Sequence, residues 1–469
     1  MPPYDAGRMA LFWRLTTSIW LFGSIFVGYI WHWCLVQLFR VPEETGGYDA
    51  YHTPEWLVLR RERMEERYAE RLYLRMLQLR GVYIKLGQVL SVMGGAVPRV
   101  YATRLEKLQD QVPPRPFSEV EEAFIRSLKR TPGQCFRDLD EKPIAAASLG
   151  QVHVAHLHDG SKVAVKILYP GIRDLIRIDM RVVRIALHVY QWFIPVQNLS
   201  RAHDALVDLL RRETDYRIEG RCMTDMAANF SGDPQLLFPE VVPELSSADV
   251  LTMTFMEGSK ITDFAALERL NVDRRAVAEL LVKAFYQMLL VDRLFHADPH
   301  PGNFLIQATD DPHSPRLVVL DFGSVSTVGH ETVEGLIDVL QGYFEQQEAL
   351  VFQGIERIGF AAPGADRDLL EQTVKTYFTR LLRIEDTTPQ ALMDASPDEL
   401  QALVDPELER AELRRLMKSV QYPEGWFYVE RASVLLFWLC AQIDPKLDTV
   451  QAGFPHVLPL LANRTESLS

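Results

Sequence analysis

Cysteine and basic charge are both scarce in this chain of 469 residues. Its four cysteines, Cys34, Cys135, Cys222 and Cys440, lie far apart, and no pair of them has the spacing of metal ligands. They are typical of reduced thiols in an intracellular protein and argue against a disulfide framework. The formal net charge of −13 argues against a nucleic-acid partner, because binding a phosphate backbone requires a basic surface.

Long hydrophobic runs are also scarce, with one exception near the start of the chain. Residues 15–39 contain no Asp, Glu, Lys or Arg, and their 25 residues would span about 37 Å as a helix, enough to cross a bilayer core. Interfacial tryptophans and the flanking Arg14 and Arg40 favour a membrane. A signal peptide would be shorter, and a buried helix of a soluble protein is the remaining alternative. We expect residues 1–40 to be membrane-associated, as a single-pass helix.

A second helix, rich in arginine, is predicted over residues 55–80, after a linker at 41–54. Arginine outnumbers glutamate from Trp56 to Arg80. A solvated helix lying on the next domain is the simpler interpretation, and a helix on a membrane surface is the alternative.

Two motifs in the second half of the chain indicate phosphate chemistry. His296 and Asp298 are followed by Asn303, and an apolar strand at 317–320 then leads to Asp321-Phe322-Gly323. This order matches the catalytic loop and the metal-binding loop of a protein-kinase-like fold. Phosphoryl transfer needs carboxylate and amide oxygens for Mg²⁺ and a further carboxylate that faces the attacking oxygen. A proline- and glycine-containing turn would explain either motif alone, but less readily both in this order.

A loop of small residues precedes a predicted hairpin in the first half of the chain. Alternating apolar residues on both sides of Asp159-Gly160 predict two strands, and the second strand carries Lys166. A kinase places its glycine-rich loop and its phosphate-pairing lysine at these positions. Here the loop is rich in alanine, whose methyl group restricts φ, so we expect a stiffer loop and altered nucleotide handling. An ordinary edge-strand lysine is the alternative for Lys166. The predicted nucleotide-contacting loop residues are Ala145, Ala146, Ala147, Ser148 and Gly150.

Three acidic residues follow on a long helix predicted over residues 204–230. Asp215 and Glu219 are four residues apart and share a face, whereas Glu213 and Asp215 diverge by about 200°. One of them could pair with Lys166, as the C-helix glutamate of a kinase does. The alternative for each is a solvated acid on a charged helix face.

The chain lacks the segment with which protein kinases dock a peptide. No Ala-Pro-Glu follows Gly323, and a helix predicted from about Glu331 leaves no room for a long activation segment. Peptide phosphorylation is therefore disfavoured.

From about Tyr73 to Val457, the chain resembles the UbiB family of atypical kinase-like proteins, the aarF-domain kinases. Lys85-Leu86-Gly87-Gln88 is similar to that family's Lys-x-Gly-Gln motif, and Glu213-Thr214-Asp215 to its Glu-x-Asp motif. The alanine-rich loop and the two motifs at 296–298 and 321–323 match as well. The sequence departs from the family after Glu219, where Gly220-Arg221-Cys222 replaces the usual Ala-x-Asn.

The resemblance implies an α+β, bilobal, protein-kinase-like fold with a family-specific helical extension. The extension would cover residues 55–130, a small lobe with an antiparallel sheet 131–258, and a helical lobe 259–469. The helix that bears Lys85 would lie across the site. The implied roles are phosphate pairing for Lys166 with Glu219 as its partner, the catalytic-base position for Asp298, Mg²⁺ binding for Asn303 and Asp321, and contacts of Lys85 with Glu213 and Asp215.

The resemblance also implies an ATP- and Mg²⁺-dependent ATPase or small-molecule kinase that supports ubiquinone or other isoprenoid-lipid biosynthesis. Its partners would be ATP, a lipid or quinone-precursor substrate, a membrane and other lipid-biosynthetic enzymes, with the kinase-like part in the cytoplasm. A nucleotide-binding scaffold and a true protein kinase are the alternatives. Intact Asp298, Asn303 and Asp321 favour the enzyme, because a scaffold does not need all three.

Overall fold

The computed structural model describes residues 8–39, 41–42, 51–92, 98–108, 114–146, 148–193, 199–381, 388, 390, 416, 419–421, 423 and 425–467. The chain divides into two compact units. Unit 1 comprises Met1–Gly220 and Val241–Phe255, and unit 2 comprises Arg221–Glu240 and Met256–Ser469. Each unit is described by itself below.

Unit 1 begins with helices. They are α1 (Arg8–Phe39), α2 (Glu55–Leu79), α3 (Val82–Val92), α4 (Arg99–Glu106), α5 (Phe117–Leu128) and the short α6 (Pro132–Cys135), with a two-stranded pair of β1 (Val41–Pro42) and β2 (Tyr51–His52) after α1. Helix α2 buries one apolar stripe that includes Leu57, Met64, Leu72 and Met76. This spacing places those residues on a single face, so α2 forms by packing its stripe although its other face is highly charged.

An antiparallel sheet forms the rest of the core of unit 1. Its strands are β3 (Asp138–Leu139), β4 (Ala145–Ala146), β5 (Gly150–His156), β6 (Lys162–Leu168) and β8 (Val250–Thr254). They lie in the order β3-β5-β6-β8, and β4 also pairs with β5. The predicted hairpin at Asp159-Gly160 is confirmed, and Gly160 adopts the left-handed φ of +93° that its turn requires. The α+β class is confirmed as well.

The long helix predicted over residues 204–230 is wrong, because the structure has two helices there. After α7 (Ile172–Phe193) come α8 (Leu199–Glu213) and α9 (Tyr216–Asn229). The chain is therefore not helical between Glu213 and Tyr216. Arg173 on α7 donates to the carbonyl oxygen of Thr214 at 2.6 Å and 3.1 Å. That carbonyl is therefore unavailable to a continuing helix, and the chain turns before α9 starts.

Unit 2 contains two small sheets and a set of helices. Strands β7 (Leu236–Leu237), β12 (Arg316–Val319), β11 (Phe304–Gln307) and β9 (Ser259–Lys260) lie side by side in that order, and β10 (Leu294–His296) pairs with β13 (Val325–Thr327). Its helices, apart from the part of α9 after Gly220, are α10 (Phe264–Arg269), α11 (Arg274–Tyr286), α12 (His330–Phe344), α13 (Glu348–Ile358), α14 (Arg367–Leu381), α15 (Trp426–Ile443) and α16 (Thr449–Ser467). Both sheets place a loop of the predicted catalytic motifs at a strand end.

Candidate functional site

In unit 1, the structure brings Lys166 and Glu219 together. The Lys166 Nζ lies 2.6 Å from Oε1 of Glu219, and the two side chains are only 12% and 3% exposed. Lys166 lies on β6 and Glu219 in the first turn of α9. The Lys166 Nζ also lies 5.3 Å from the centre of the buried Tyr216 ring, within range of a cation–π interaction. The ammonium group is thus held in one place by a carboxylate and an aromatic face.

The alanine-rich loop leads into the same sheet. Ala145 and Ala146 form β4 and pair with Val152 and Gln151 of β5, while Ala147 lies outside the described residues. Ser148 is half-buried in the turn that follows. A loop that is partly a strand has fewer backbone donors to offer a phosphate than an open glycine-rich loop.

Gly150, the first residue of β5, permits a close approach of Tyr216. A Cβ atom at this position would lie 2.5 Å from the Tyr216 hydroxyl and 2.6 Å from the carbonyl oxygen of Ile167. The glycine is therefore required by packing, independently of any ligand.

Lys85 on α3 forms an ion pair with Glu213, the last residue of α8, and both side chains are about a tenth exposed. Asp215, the other acidic partner expected for Lys85, binds Arg217 instead, at 2.6 Å and 2.9 Å. This hydrogen bonding holds the pKa of the Asp215 carboxyl below its usual value. The two acidic residues of the Glu-x-Asp motif therefore have different partners. Glu213 binds Lys85 of the helical extension, and Asp215 accepts hydrogen bonds from Arg217 at the start of α9.

A buried polar chain also joins the extension to the sheet. The Gln151 side chain accepts from the backbone N–H of Arg115 at 2.9 Å and lies 3.0 Å from Nε2 of His153, whose Nδ1 lies 2.7 Å from the carbonyl oxygen of Asp140. Burial lowers the pKa of His153. The ring is therefore neutral near pH 7 and fits a structural role.

In unit 2, His296 organises the first motif. The backbone N–H of Asp298 donates to Nδ1 of His296 at 3.2 Å, so the ring proton is on Nε2, which donates to the carbonyl oxygen of Leu320 at 3.2 Å. Asn303 donates its side-chain N–H to the carbonyl oxygen of Asp298 at 2.9 Å. His296 thus connects the two motifs, and Asn303 fixes the turn that presents Asp298.

Asp321 lies beside Asn303 because of the register of β11 and β12. The N–H of Leu320 donates to the carbonyl oxygen of Asn303 at 2.8 Å. Asp321 has a φ of +58°, an uncommon value for a residue with a side chain, and accepts a hydrogen bond from the N–H of Gly323 at 3.2 Å. Buried Phe322 packs at a tilt against the rings of His296 and Phe238 and holds this strained turn.

The side-chain oxygen atoms of Asn303 and Asp321 fit a magnesium ion. Since the Asn303 amide nitrogen donates to Asp298, its amide oxygen is the atom left to bind a cation. Mg²⁺ prefers oxygen ligands and usually takes one or two from a protein and the rest from water and phosphate. Among the described residues, no group of three or more His, Cys, Asp or Glu side chains could hold a metal by itself.

Arg431 is a candidate functional residue that the sequence analysis missed. It lies on α15, is 6% exposed, and its Nη2 lies 2.9 Å from Oδ1 of Asp298. Its Nε and Nη1 are buried and have no hydrogen-bond partner among the described residues. The sequence gives one indication only, a charged residue directly before an apolar helical run.

A cleft of about 690 Å³ in unit 2 lies elsewhere, beside α11 and α16. None of the sequence-predicted site residues lines it. Two of its charged residues pair with neighbours, Lys283 with Asp233 at 2.6 Å and Arg275 with Glu279 at 3.0 Å. We therefore assign it no role.

The paired Lys166 and Glu219 of unit 1, with the His296–Asp298 and Asp321–Gly323 loops of unit 2, define a protein of the kinase-like class. A family model described as "ABC1 atypical kinase-like domain" matches residues 107–354, more than half of the chain. The chain therefore belongs to the ABC1 family of atypical kinase-like proteins.

Three known proteins illustrate this membership. The Arabidopsis thaliana protein ACTIVITY OF BC1 COMPLEX KINASE 8, chloroplastic, is 29% identical over 93% of this chain and 59% of its own length. The "Probable protein kinase UbiB" of Marinobacter nauticus is 30% identical over 66% of this chain and 56% of its own length. A solved Mycobacterium tuberculosis structure, described as a complex of Rv3197 with erythromycin, has a TM-score of 0.52 and 25% identity, covering 82% of this chain and 94% of that chain. The chain thus spans less than two thirds of these two curated relatives.

Proposed function

We propose that this protein binds ATP with Mg²⁺ and is a membrane-associated kinase or ATPase that supports isoprenoid-lipid biosynthesis of the ubiquinone type. The buried Lys166–Glu219 ion pair carries this proposal. A lysine held by a carboxylate on a neighbouring helix is the arrangement with which kinases position ATP phosphates. Membership of the ABC1 family and the relative named UbiB support the kinase-like and lipid-related parts.

Each site residue has a role in this proposal. Lys166 would bind phosphate oxygens, and Glu219 would keep its ammonium group oriented. Asn303 and Asp321 would hold Mg²⁺, which when bound supplies positive charge for the phosphates. Asp298 would accept the proton of the attacking hydroxyl group or water. The loop residues Ala145, Ala146, Ala147, Ser148 and Gly150 would cover the nucleotide.

Lys85 has a different role, because its partner is Glu213. By tying α3 to the end of α8, it would keep the helical extension where a peptide would bind to a protein kinase. The acceptor would then be a small molecule, a lipid or water, which agrees with the missing activation segment.

Asp321→Asn tests the nucleotide assignment. We expect it to abolish Mg²⁺-dependent ATP binding and ATP turnover, since the amide removes the single negative charge assigned to the metal. Asp310→Asn, an equal change at an exposed aspartate of the same unit, should leave both unchanged. ATP turnover that is the same in the Asp321→Asn and wild-type proteins would refute the assignment.

The acceptor is tested by ATP turnover of the purified protein with and without anionic vesicles and phenolic quinone precursors. Stimulation by either would support a lipid-related substrate. Tight ATP binding without turnover under every condition would favour the nucleotide-binding scaffold instead.

The membrane part of the proposal is supported by α1. Residues 12–39 form one helix long and apolar enough to cross a membrane, judged by length and composition, and 11% of its most apolar stretch is buried in the structure. The sequence alone predicts that α1 crosses the membrane once. The contacts of α1 within unit 1, described next, favour a different orientation of the helix.

A further inference from the structure

Helix α1 is apolar around its whole circumference, and its two sides differ in exposure. Seven large residues, Phe12, Ile19, Trp20, Val27, Trp31, Trp33 and Leu38, are each at least 55% exposed. At 100° per residue they fall within an arc of about 160°. We call them the outer stripe; residues 12–39 contain a single charged side chain, Arg14, which lies on the other face.

The opposite side of α1 packs against the other helices of unit 1 along the length of the helix. Arg14, Leu21 and His32 are buried there and lie within about 20° of one another around the axis. Arg14 binds Asp179 of α7 at 2.5 Å and 2.8 Å and donates to the carbonyl oxygen of Leu79. Burial raises the pKa of Asp179, and the Arg14 guanidinium opposes this shift.

Helix α2 runs antiparallel to α1 and packs closely against it. Arg60 of α2 lies 3.0 Å from Nδ1 of His32, whereas Arg71, eleven residues further along α2, donates to Ser24 at 3.3 Å. Gly28 lets the Tyr68 ring approach so closely that no Cβ could be accommodated. The two helices therefore form one packed layer, and α1 is not a separate element on a linker.

These contacts conflict with a membrane crossing. If α1 spanned the hydrocarbon core, the charged side chains of α2 beside it would lie at the same depth, where they are strongly disfavoured. Separating α1 from the rest of unit 1 instead would leave Asp179 of α7, which is 1% exposed, without its cation.

The rim of the outer stripe carries positive charge. The guanidinium groups of Arg71 and Arg75 lie 5.7 Å and 5.8 Å from the centre of the Trp20 ring. From Trp56 to Arg80 the sequence has seven arginines and four glutamates, although the whole chain is strongly acidic. The packed layer of α1 and α2 therefore presents an apolar, tryptophan-rich stripe bordered by arginines, which matches the surface of a bilayer with anionic lipids.

We propose that α1 lies in the plane of an anionic membrane surface, with its outer stripe in the headgroup–acyl boundary and Arg71 and Arg75 on lipid phosphates, and that it does not cross the bilayer. This inference deepens the membrane association proposed above and is independent of the nucleotide chemistry. Covering the stripe with lipid removes its large apolar side chains from water without disturbing the Arg14–Asp179 pair.

Depth measurements decide between the two orientations. Proteins with a single accessible cysteine, labelled with a fluorophore at Cys34, at Thr16→Cys or at Val27→Cys, report three points on the exposed face, about 27 Å apart from first to last along the axis. Cys222, the other cysteine that is not buried, is replaced by serine in each, and Cys34 by serine in the last two. With vesicles of phosphatidylcholine and phosphatidylglycerol, we expect equal, shallow quenching depths at all three. A label at residue 27 that lies about 10 Å deeper than the other two would show a crossing helix and overturn the proposal.

Vesicle co-sedimentation of the full chain tests the stripe and its rim. Ile19 and Ile144 are both 56% exposed, so Ile19→Glu and Ile144→Glu are a matched pair. We expect Ile19→Glu to weaken binding about tenfold or more and Ile144→Glu to leave it unchanged. Arg71→Gln with Arg75→Gln should weaken binding to phosphatidylglycerol-containing vesicles about fivefold per arginine and leave binding to phosphatidylcholine alone unchanged.

Other outcomes would contradict the inference. Equal losses in the two glutamate variants would remove the role of the stripe. A wild-type protein that binds no vesicle and is a dimer, but is a monomer as Ile19→Glu, would show that a second copy covers α1. Asp321→Asn should bind vesicles like the wild type, so loss of ATP turnover and loss of membrane docking are separate results.

Discussion

Arg431→Met separates a positioning role of Arg431 from a role in stability. The guanidinium makes one charge-assisted contact, 2.9 Å to Asp298, and buries two nitrogen atoms, Nε and Nη1, without partners among the described residues. A charge-assisted hydrogen bond contributes about 1.5–3 kcal/mol, whereas a buried unsatisfied donor costs about 1–3 kcal/mol. Methionine has a similar length and no donors. The lost contact and the relieved donors therefore nearly cancel, and we expect the free energy of unfolding to stay within about 1 kcal/mol of wild type or to rise.

ATP turnover should respond differently. Without Arg431, the Asp298 carboxylate loses the cation that fixes its orientation, and we expect kcat to fall about 10- to 100-fold, or about 1.4–2.8 kcal/mol in the barrier. Arg431→Lys keeps the charge but not the planar fork, and should recover only part of the activity.

The measurements are ATP turnover at saturating ATP, chemical denaturation, and a double-mutant cycle with Asp298→Asn. If Arg431 acts through Asp298, the second substitution adds little to the first. A variant that loses about 3 kcal/mol of stability but keeps the wild-type kcat would refute the reasoning, because Arg431 would then only support the core.

Three further predictions concern single side chains. Glu219→Gln leaves Lys166 without a countercharge, so ATP affinity in calorimetric titration should fall about tenfold or more; an unchanged affinity would contradict the role of the pair. Gly150→Ala forces a Cβ against Tyr216, and denaturation should show a loss of about 1–3 kcal/mol. Burial raises the pKa of Asp292 to about 6, above its unfolded value, so the folded state disfavours the ionised form and loses stability as pH rises through 6. Asp292→Asn should therefore gain about 1 kcal/mol at pH 8 and nothing near pH 4, after allowing for partial exposure; an equal gain at both would contradict this.

Local patterns account for the parts of the fold that the sequence predicted. The hairpin of β5 and β6 follows from alternating residues around Asp159-Gly160, and the loops at 296–303 and 321–323 follow from short motifs. In the hairpin, the residues that determine the conformation lie within a few positions of one another.

Distant contacts account for the parts that the sequence did not predict. The break between α8 and α9 depends on Arg173, which reaches the Thr214 carbonyl from another helix. Arg431 similarly meets Asp298 from α15, and no local pattern distinguishes it from a charge that merely ends an apolar run. The sequence alone places Arg14 at the flank of a membrane span, whereas in the structure Asp179 holds it on the inner face of α1.

The same distant contacts connect α1 to Lys166 within unit 1. Helix α7 carries both Asp179, which binds α1, and Arg173, which binds the Thr214 carbonyl at the break between α8 and α9. On one side of that break Glu213 holds Lys85, and on the other Glu219 holds Lys166. Only five residues separate the two glutamates, so the break between α8 and α9 joins the ion pair of the helical extension to the ion pair of Lys166.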